Sequence, residues 1–172
     1  TVNVATGNDN INASASAAAV NIAAAAASIT TNDTLKGGTG ANDTITLTAG
    51  SDTANLGASV TGFETVTVAA ATTHTIKVTT KNASATSSQA LTVNASALTN
   101  TAATFTFESG ETGTGEALAT VNVTGGAGAD SITGGTEKSN FVGGGGADTF
   151  TFASGNLAST DTVSGGDGVD VL

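Results

Sequence analysis

The sequence predicts an all-β protein built as a parallel β-helix or β-roll solenoid. Glycine–aspartate nonapeptides recur near its end, and its middle alternates apolar residues with threonine. Trp, Tyr, Met, Cys and Pro are absent, and six Phe are the only aromatic residues. A globular core would be hard to fill with such small side chains, whereas the thin internal ladder of a solenoid suits them.

Three segments near the end of the chain share the pattern G-G-x-G-x-D-x-U-x, in which U is a large apolar residue. They begin at Gly125, Gly143 and Gly165, and the third stops one residue short. Glycine permits positive φ and close backbone approach, so six residues can turn tightly. The last three residues then form a short strand with U pointing inward. Two units should make one coil of about 18 residues.

The aspartates of these units are spaced so that they should stack along one edge. Asp130 and Asp148 are 18 residues apart, and Asp148 and Asp170 are 22 apart. The four extra residues fit in a loop at 153–159 on the other edge. Each turn offers an aspartate and several carbonyl oxygens, which are the hard ligands that calcium prefers. The sequence therefore predicts calcium between successive members of this column.

The unit between the first two repeats, residues 134–142, departs from the pattern. It has Glu137 where a glycine is expected and Ser139 where the aspartate is expected. It falls on the opposite edge of the coil. We expect that edge to have decayed into plain turns without metal.

The nonapeptide resembles the repeats-in-toxin (RTX) family, whose repeat is a calcium-binding parallel β-roll. The resemblance implies type I export of an unfolded chain, which folds on meeting external calcium. It also implies that the ligands are Asp carboxylates together with carbonyls of the turn glycines. The implied carbonyl ligands lie around Gly126, Gly128, Gly144, Gly146 and Gly166.

Further candidate metal ligands lie in residues 1–56. Asp9 belongs to a half-unit, and Asp33, Asp43 and Asp52 mark three successive turns, with Asp33 and Asp52 expected on one edge. The consensus around Asp43 carries one inserted residue. Ordinary Asn/Asp-Gly turn chemistry is the alternative explanation for these residues. The Ala-rich stretch 13–29 is predicted as a short strand rather than a helix, because no face of it is charged.

Residues 57–124 contain alternating segments that predict half-buried strands. This region is expected to be a broader β-helix or a β-sandwich between the two calcium-binding stretches, 1–56 and 125–172. The three regions are expected to form one continuous, elongated unit that is part of a longer chain. Residues 62–68 resemble stretches of bacterial surface-layer proteins that carry RTX repeats. The predicted strands are residues 63–68, 75–79, 91–94, 105–107 and 119–123.

The formal charge of −10 arises from 14 acidic residues against 4 basic ones. The lack of a basic patch excludes nucleic acid as a partner. No apolar run is long enough to span a membrane. Stacked carboxylates without metal would repel one another, so we expect calcium to relieve strain in the fold.

Candidate catalytic residues are sparse in the sequence. His74 is the only histidine, and no Cys nucleophile, HExxH or G-x-S-x-G motif occurs. Glu64, Glu108, Glu111 and Glu116 form no obvious pair for glycoside hydrolysis. We therefore expect this chain not to be an enzyme.

These observations favour a structural, calcium-stabilised protein of the bacterial cell surface. It would form a surface layer or a matrix filament from copies of itself, with cell-surface polysaccharide as a further partner. The alternative is the calcium-binding accessory roll of a type I-secreted enzyme, toxin or adhesin. An ice-binding module would need a regular Thr/Asn ladder, which the irregular strand spacing between residues 57 and 124 disfavours.

Overall fold

A computed structural model describes residues 1–48, 52–57, 59–70, 75–80, 90–109 and 120–172. These residues form short strands and one 3-10 segment, Ala26–Ser28. The strands are β1 Val2–Val4, β2 Asn10–Asn12, β3 Asn21–Ala25, β4 Thr34–Lys36, β5 Thr44–Thr48, β6 Thr53–Leu56, β7 Val60–Thr61, β8 Thr65–Val68, β9 Thr75–Thr80, β10 Ala90–Asn94, β11 Thr104–Ser109, β12 Thr120–Thr124, β13 Ser131–Gly134, β14 Lys138–Gly145, β15 Thr149–Phe152 and β16 Thr162–Asp167.

The strands of the described residues make three sheets. The large sheet has the order β1-β3-β5-β8-β10-β12-β14-β16, and the five-stranded sheet has the order β15-β13-β11-β9-β6. The small sheet has the order β2-β4-β7. Neighbouring strands in all three sheets pair in parallel, and the chain returns to the large sheet once in every coil. This topology is a parallel β-roll, as the sequence predicts.

The coil changes its cross-section along the chain. Between β5 and β8 the chain passes through β6 and β7, so this rung has a strand in each of the three sheets. The Asn55 N–H donates to the Ile29 carbonyl at 3.0 Å, which stacks β6 on the chain just after the 3-10 segment. From β8 onward the described strands alternate between the large sheet and the five-stranded sheet. The roll therefore changes from three sheets to two after β7, well before the nonapeptides begin.

Strand register stays constant while the length of a rung varies. Val93 pairs with Val123, and Val123 pairs with Phe141, so successive rungs take 30 and 18 residues. Phe141 pairs in turn with Val163, which is 22 residues further on. The turns absorb the whole difference, because each strand still meets its neighbour residue for residue.

The core is a ladder of inward-facing side chains from alternate strand positions. Ile22, Ile45 and Val66 are fully buried in successive strands of the large sheet. In the later rungs Phe107 and Phe141 meet edge to face, with ring centroids 6.1 Å apart. Each buried aliphatic or aromatic side chain contributes roughly 1.5–3 kcal/mol. Aliphatic residues thus fill the early rungs, while Phe fills much of the later, two-sided ones.

The strand pairings show which secondary structure the middle segment, residues 57–124, and the Ala-rich segment, residues 13–29, adopt. A β-sandwich for residues 57–124 is wrong, because the described strands there pair in parallel within the same three sheets as the rest of the roll. The predicted strand in the Ala-rich stretch is confirmed as β3, followed only by the single 3-10 turn. Alanine fits there because alternate residues of β3 are buried inside the coil.

The outer face of the large sheet carries a ladder of Thr and Asn, which we call the Thr/Asn ladder. The Asn140 amide donates to Asn122 Oδ1 at 2.8 Å, and the Thr162 hydroxyl donates to Asn140 Oδ1 at 2.9 Å. Irregular spacing along the sequence does not interrupt this ladder, because turns rather than strands take up the extra residues. Its members in register are Asn21, Thr44, Thr65, Thr92, Asn122, Asn140 and Thr162.

Candidate metal centre

Three glycine-rich turns lead out of the large sheet in the last rungs. They span residues 125–130, 143–148 and 165–170, and we call this side of the roll the glycine edge. Positive φ angles occur at Gly144 (111°) and Gly146 (107°). Side chains are strongly disfavoured at such angles, so the turns require glycine there.

The glycine turns stack directly on one another. A Cβ added to Gly144 would overlap the carbonyl oxygen of Gly126, and one added to Gly166 would overlap the carbonyl oxygen of Gly144. The Gly145 N–H donates to the Gly126 carbonyl at 3.0 Å. Carbonyl oxygens of one turn therefore lie against the backbone of the next, with no room for side chains.

The predicted aspartate column is present and in register. The Asp130 N–H donates to Asp148 Oδ1 at 2.8 Å, and the Asp148 N–H donates to Asp170 Oδ1 at 3.0 Å. The Phe105 N–H donates to Asp130 Oδ1 in the same way at 2.8 Å. Each aspartate thus uses one carboxylate oxygen to hold the preceding rung.

The second carboxylate oxygens of the column differ. Asp130 Oδ2 accepts a 2.6 Å bond from the Gly126 N–H of its own turn. Asp148 Oδ2 is buried and has no hydrogen-bond partner in the part of the chain that the structure describes. A buried anionic oxygen without a partner costs free energy, so the Asp148 carboxylate is suited to bind a cation.

Burial also perturbs the acidity of the column. Burial raises the pKa of Asp130 to about 6; the Gly126 and Phe105 N–H groups oppose this shift, and the charge of Asp148 adds to it. Burial likewise raises the pKa of Asp148, and the charge of Asp170 adds to the shift. Both effects follow from carboxylates stacked in an interior without a counter-charge.

The donors on the glycine edge fit calcium. No group of three or more His, Cys, Asp or Glu side chains gathers into a metal site among the described residues. A metal here must therefore take backbone carbonyls together with the aspartates, one aspartate from each rung. Calcium accepts six to eight oxygen ligands of mixed type in flexible geometry, which matches such a set.

The aspartates of the early turns are bound differently. Asp43 accepts from the N–H groups of Val20 and Gly38, both at 2.6 Å. Asp33 accepts from the Asp9 N–H at 2.9 Å and from the Thr30 N–H at 2.7 Å. Backbone N–H groups thus donate to both oxygens of each carboxylate. Each carboxylate links two neighbouring rungs, and we call such a residue a clip. The assignment of Asp33 and Asp43 as metal ligands stays a prediction.

The structure does not bring Asp33 and Asp52 together. Asp33 precedes β4 of the small sheet, whereas Asp52 is exposed and precedes β6 of the five-stranded sheet. The expectation of a shared edge is wrong because the early rungs have three corners rather than two edges. Asp9 stacks on Asp33, and its own Oδ2 is buried without a partner among the described residues.

Two acidic residues that sequence reasoning did not assign to turn positions also clip rungs. Glu64 Oε2 accepts from the Asp43 N–H at 2.7 Å. Asp161 accepts from the Ser139 N–H at 2.8 Å and from the Ala158 N–H at 2.7 Å. The signal that could have found them is an acidic residue two positions before an inward apolar residue, with or without glycines before it.

Some sequence-based expectations cannot be placed on the structure. His74, Glu111 and Glu116 lie outside the described residues, whereas Glu108 is described at the end of β11. Within the described ranges, no helix has the length and apolar character needed to cross a bilayer.

Comparison with known proteins places the repeats in a family. Residues 30–59, 123–156 and 158–172 match the model of the RTX calcium-binding nonapeptide repeat, which comprises four copies. No curated protein and no solved structure matches the chain significantly. The matched residues include the whole glycine edge and the turns around Asp33 and Asp43. The chain therefore carries calcium-binding repeats of the RTX type.

Proposed function

We propose that the protein is a structural, calcium-stabilised extracellular protein that assembles with its own copies into a surface layer or filament. The observation that carries this proposal is the Asp148 carboxylate, which is buried between two glycine turns and has one oxygen without a partner among the residues that the structure describes. Calcium would lie between the turns of Asp130 and Asp148 and between those of Asp148 and Asp170. Carbonyl oxygens of Gly126, Gly128, Gly144, Gly146 and Gly166 would supply the remaining protein ligands.

Calcium in these positions would couple neighbouring rungs. Its ligands come from two turns at once, so binding favours the stacked state over any state in which the turns separate. It would also neutralise carboxylates that otherwise stand unpaired in the interior. Extracellular calcium modules bind with Kd of about 10⁻⁴–10⁻³ M. Such a chain would fold outside the cell, where calcium is plentiful, which supports a secreted protein.

The Thr/Asn ladder supports assembly between copies. The chain carries a net charge of −10, so two copies repel over most of their surfaces. The ladder lacks charge and presents hydroxyl and amide groups along seven strands of the large sheet. A second copy can approach this face without like-charge repulsion, and its side chains can exchange hydrogen bonds across the contact.

The proposal is tested by titrating calcium into purified protein while following circular dichroism and imaging the product by electron microscopy. Calcium should increase strand content or melting temperature and then produce sheets or fibres, while equal magnesium should not. Unchanged spectra and melting would overturn the calcium role. Monodisperse monomers at millimolar calcium would overturn assembly and favour the accessory roll of a secreted enzyme or toxin.

A pair of variants tests the assembly face. Thr65→Asp places a charge on the Thr/Asn ladder and should abolish sheets or fibres without lowering calcium binding. Thr133→Asp places the same charge on the outer face of β13 in the five-stranded sheet and serves as the matched control. Equal assembly by both variants would exclude the Thr/Asn ladder as the contact surface, and addition of cell-surface polysaccharide would then test the other predicted partner.

A further inference from the structure

The opposite side of the last rungs has its own buried carboxylate. The turn between β13 and β14 and the loop 153–161 between β15 and β16 make up this side, which we call the polar edge. Glu137, Ser139 and Phe141 are buried, whereas the intervening Lys138 is exposed. The alternation places the Glu137 side chain inside the roll, where it is 8% exposed.

The Glu137 carboxylate is poorly satisfied in this position. Its Oε1 accepts one long bond of 3.4 Å from the Gly135 N–H. Its Oε2 is buried and has no hydrogen-bond partner in the described ranges of the chain. A carboxylate buried in this way costs free energy unless a cation or a proton neutralises it.

Further hard oxygens come to the same corner. The Ser139 side chain is fully buried two residues after Glu137. Because Asn140 pairs with Thr162, Asp161 of the next rung is in register with Ser139. The Ser139 N–H donates to Asp161 Oδ1 at 2.8 Å. The Ser139 hydroxyl donates to the Glu137 backbone carbonyl at 3.5 Å, so Glu137, Ser139 and Asp161 belong to one corner formed by two consecutive rungs.

We propose that this corner is a second type of calcium site, in which the Glu137 carboxylate binds the ion with help from Ser139 and Asp161. The inference extends the proposed function, since it assumes that the roll binds calcium. A divalent cation neutralises both carboxylates and tolerates mixed oxygen ligands.

This site would replace one kind of ligand with another. On the glycine edge, backbone carbonyls become ligands because glycine lets the turns stack. At position 137 a glutamate stands where the repeat has glycine, and its long side chain brings an oxygen into the interior instead. The polar edge would then bind metal through side chains rather than through a stacked backbone.

The proposal is tested by counting calcium ions bound to the full chain, using equilibrium dialysis against calcium alone. Glu137→Gln should bind one ion fewer than wild type and keep the calcium-induced rise in melting temperature that the glycine edge provides. Glu108→Gln removes the same charge from the outer face of β11 and should bind the wild-type number. Equal numbers for Glu137→Gln and wild type would overturn the site.

A milder variant guards against a folding defect in Glu137→Gln. Ser139→Ala removes only a hydroxyl and should lower the affinity for one calcium ion by roughly tenfold. The number of ions bound at high calcium should be unchanged. Wild-type affinity at every site in this variant would count against the proposed ligand set. The two proposals fail separately: a wild-type chain that binds no calcium defeats the proposed function, whereas unchanged binding in the variants defeats only this inference.

Discussion

The glycine edge and the polar edge connect successive rungs of the roll in different ways. On the glycine edge the three turns have equal length and stack backbone on backbone, with one aspartate per rung. On the polar edge the turn before β14 is short, the loop 153–161 is long, and Gly155 of that loop has open space around its Cα. Stacking of backbone on backbone demands identical turns, whereas contacts made by side chains tolerate turns of different length.

A second contrast separates two aspartates, Asp148 of the glycine edge and Asp43 of the early turns. Asp43, like Asp130, has both carboxylate oxygens hydrogen-bonded to backbone N–H groups, whereas Asp148 has one oxygen without a partner in the described part of the chain. The same type of repeat thus makes a hydrogen-bonded clip in one place and an unfinished anionic site in another. The clip should stabilise the fold at any calcium concentration, and the unfinished site only when calcium is present.

The largest expected effect comes from Asp148→Ala in saturating calcium. This residue would contribute to two ions, so the variant should lose about 4 kcal/mol of unfolding free energy, the stabilisation expected at 1,000 times Kd. For a chain of this size the melting temperature should fall by roughly 8–16 °C. Thermal melts of wild type and variant, with and without calcium, measure the difference.

Thr149→Ala is the control for that variant, since Thr149 is the exposed neighbour of Asp148 outside the column. It should melt within a few degrees of wild type in calcium. If Asp148→Ala also keeps wild-type melting in saturating calcium, calcium does not sit between these turns.

The next effect is a pH dependence of the calcium-free protein. The pKa of Asp130 is about 6 in the folded state against an ordinary value of 3.8, so the folded state holds this proton more tightly. Stability from the proton is complete below about pH 4 and is lost as the pH rises through about 6, which amounts to about 3 kcal/mol. Urea unfolding in a calcium chelator at several pH values measures the slope.

Saturating calcium should reverse that slope, because the metal needs ionised carboxylates. Unfolding free energy that stays flat between pH 4 and pH 7 without calcium would show that Asp130 is not perturbed by burial.

A smaller effect is expected from Asp43→Ala in the early turns. The variant leaves the N–H groups of Val20 and Gly38 without acceptors, which should cost roughly 2 kcal/mol. The loss should be equal with and without calcium if Asp43 acts as a clip. Asp43→Asn keeps one acceptor oxygen and should lose about half as much. A loss that appears only in calcium would instead make Asp43 a metal ligand.

The smallest effect is a difference between two glycines with positive φ. Gly146→Ala would bring a Cβ within 2.6 Å of the Gly128 carbonyl, whereas Gly155→Ala meets nothing within 4 Å. Both variants bear the strain of positive φ, but only Gly146→Ala also opposes the stacking of the turns. Gly146→Ala should therefore lose roughly 1–2 kcal/mol more unfolding free energy than Gly155→Ala. Equal losses of unfolding free energy, measured by denaturant unfolding, would mean that the stacked turns can accommodate a methyl group.

The sequence was most informative where geometry repeats. The spacings of Asp130, Asp148 and Asp170 predicted their column because two identical turns and two strands set the length of a coil. The pairing of Asp33 with Asp52 was wrong because spacing alone cannot distinguish a two-sided rung from a three-sided one. The number of sides depends on packing around β6 and β7, which no local pattern in the sequence specifies.

The hydrogen-bond partners of the acidic side chains could not be predicted from the sequence either. Glu137 looked like the decay of a glycine turn, and only the structure shows that its carboxylate is buried with one oxygen lacking a partner among the described residues. Glu64 and Asp161 follow a shorter acidic pattern, which the glycine-containing nonapeptide does not reveal. Whether an acidic residue clips a rung or lacks a partner depends on N–H groups of another rung, which lie about twenty residues away in the chain.

The constant register of the strands has a practical consequence for engineering. Because the corner between β15 and β16 already accommodates a nine-residue excursion, foreign peptides could be grafted there without shifting any strand by one position. Copies arrayed on a surface would then display the inserted sequence at regular intervals, with the glycine turns on the far side left intact.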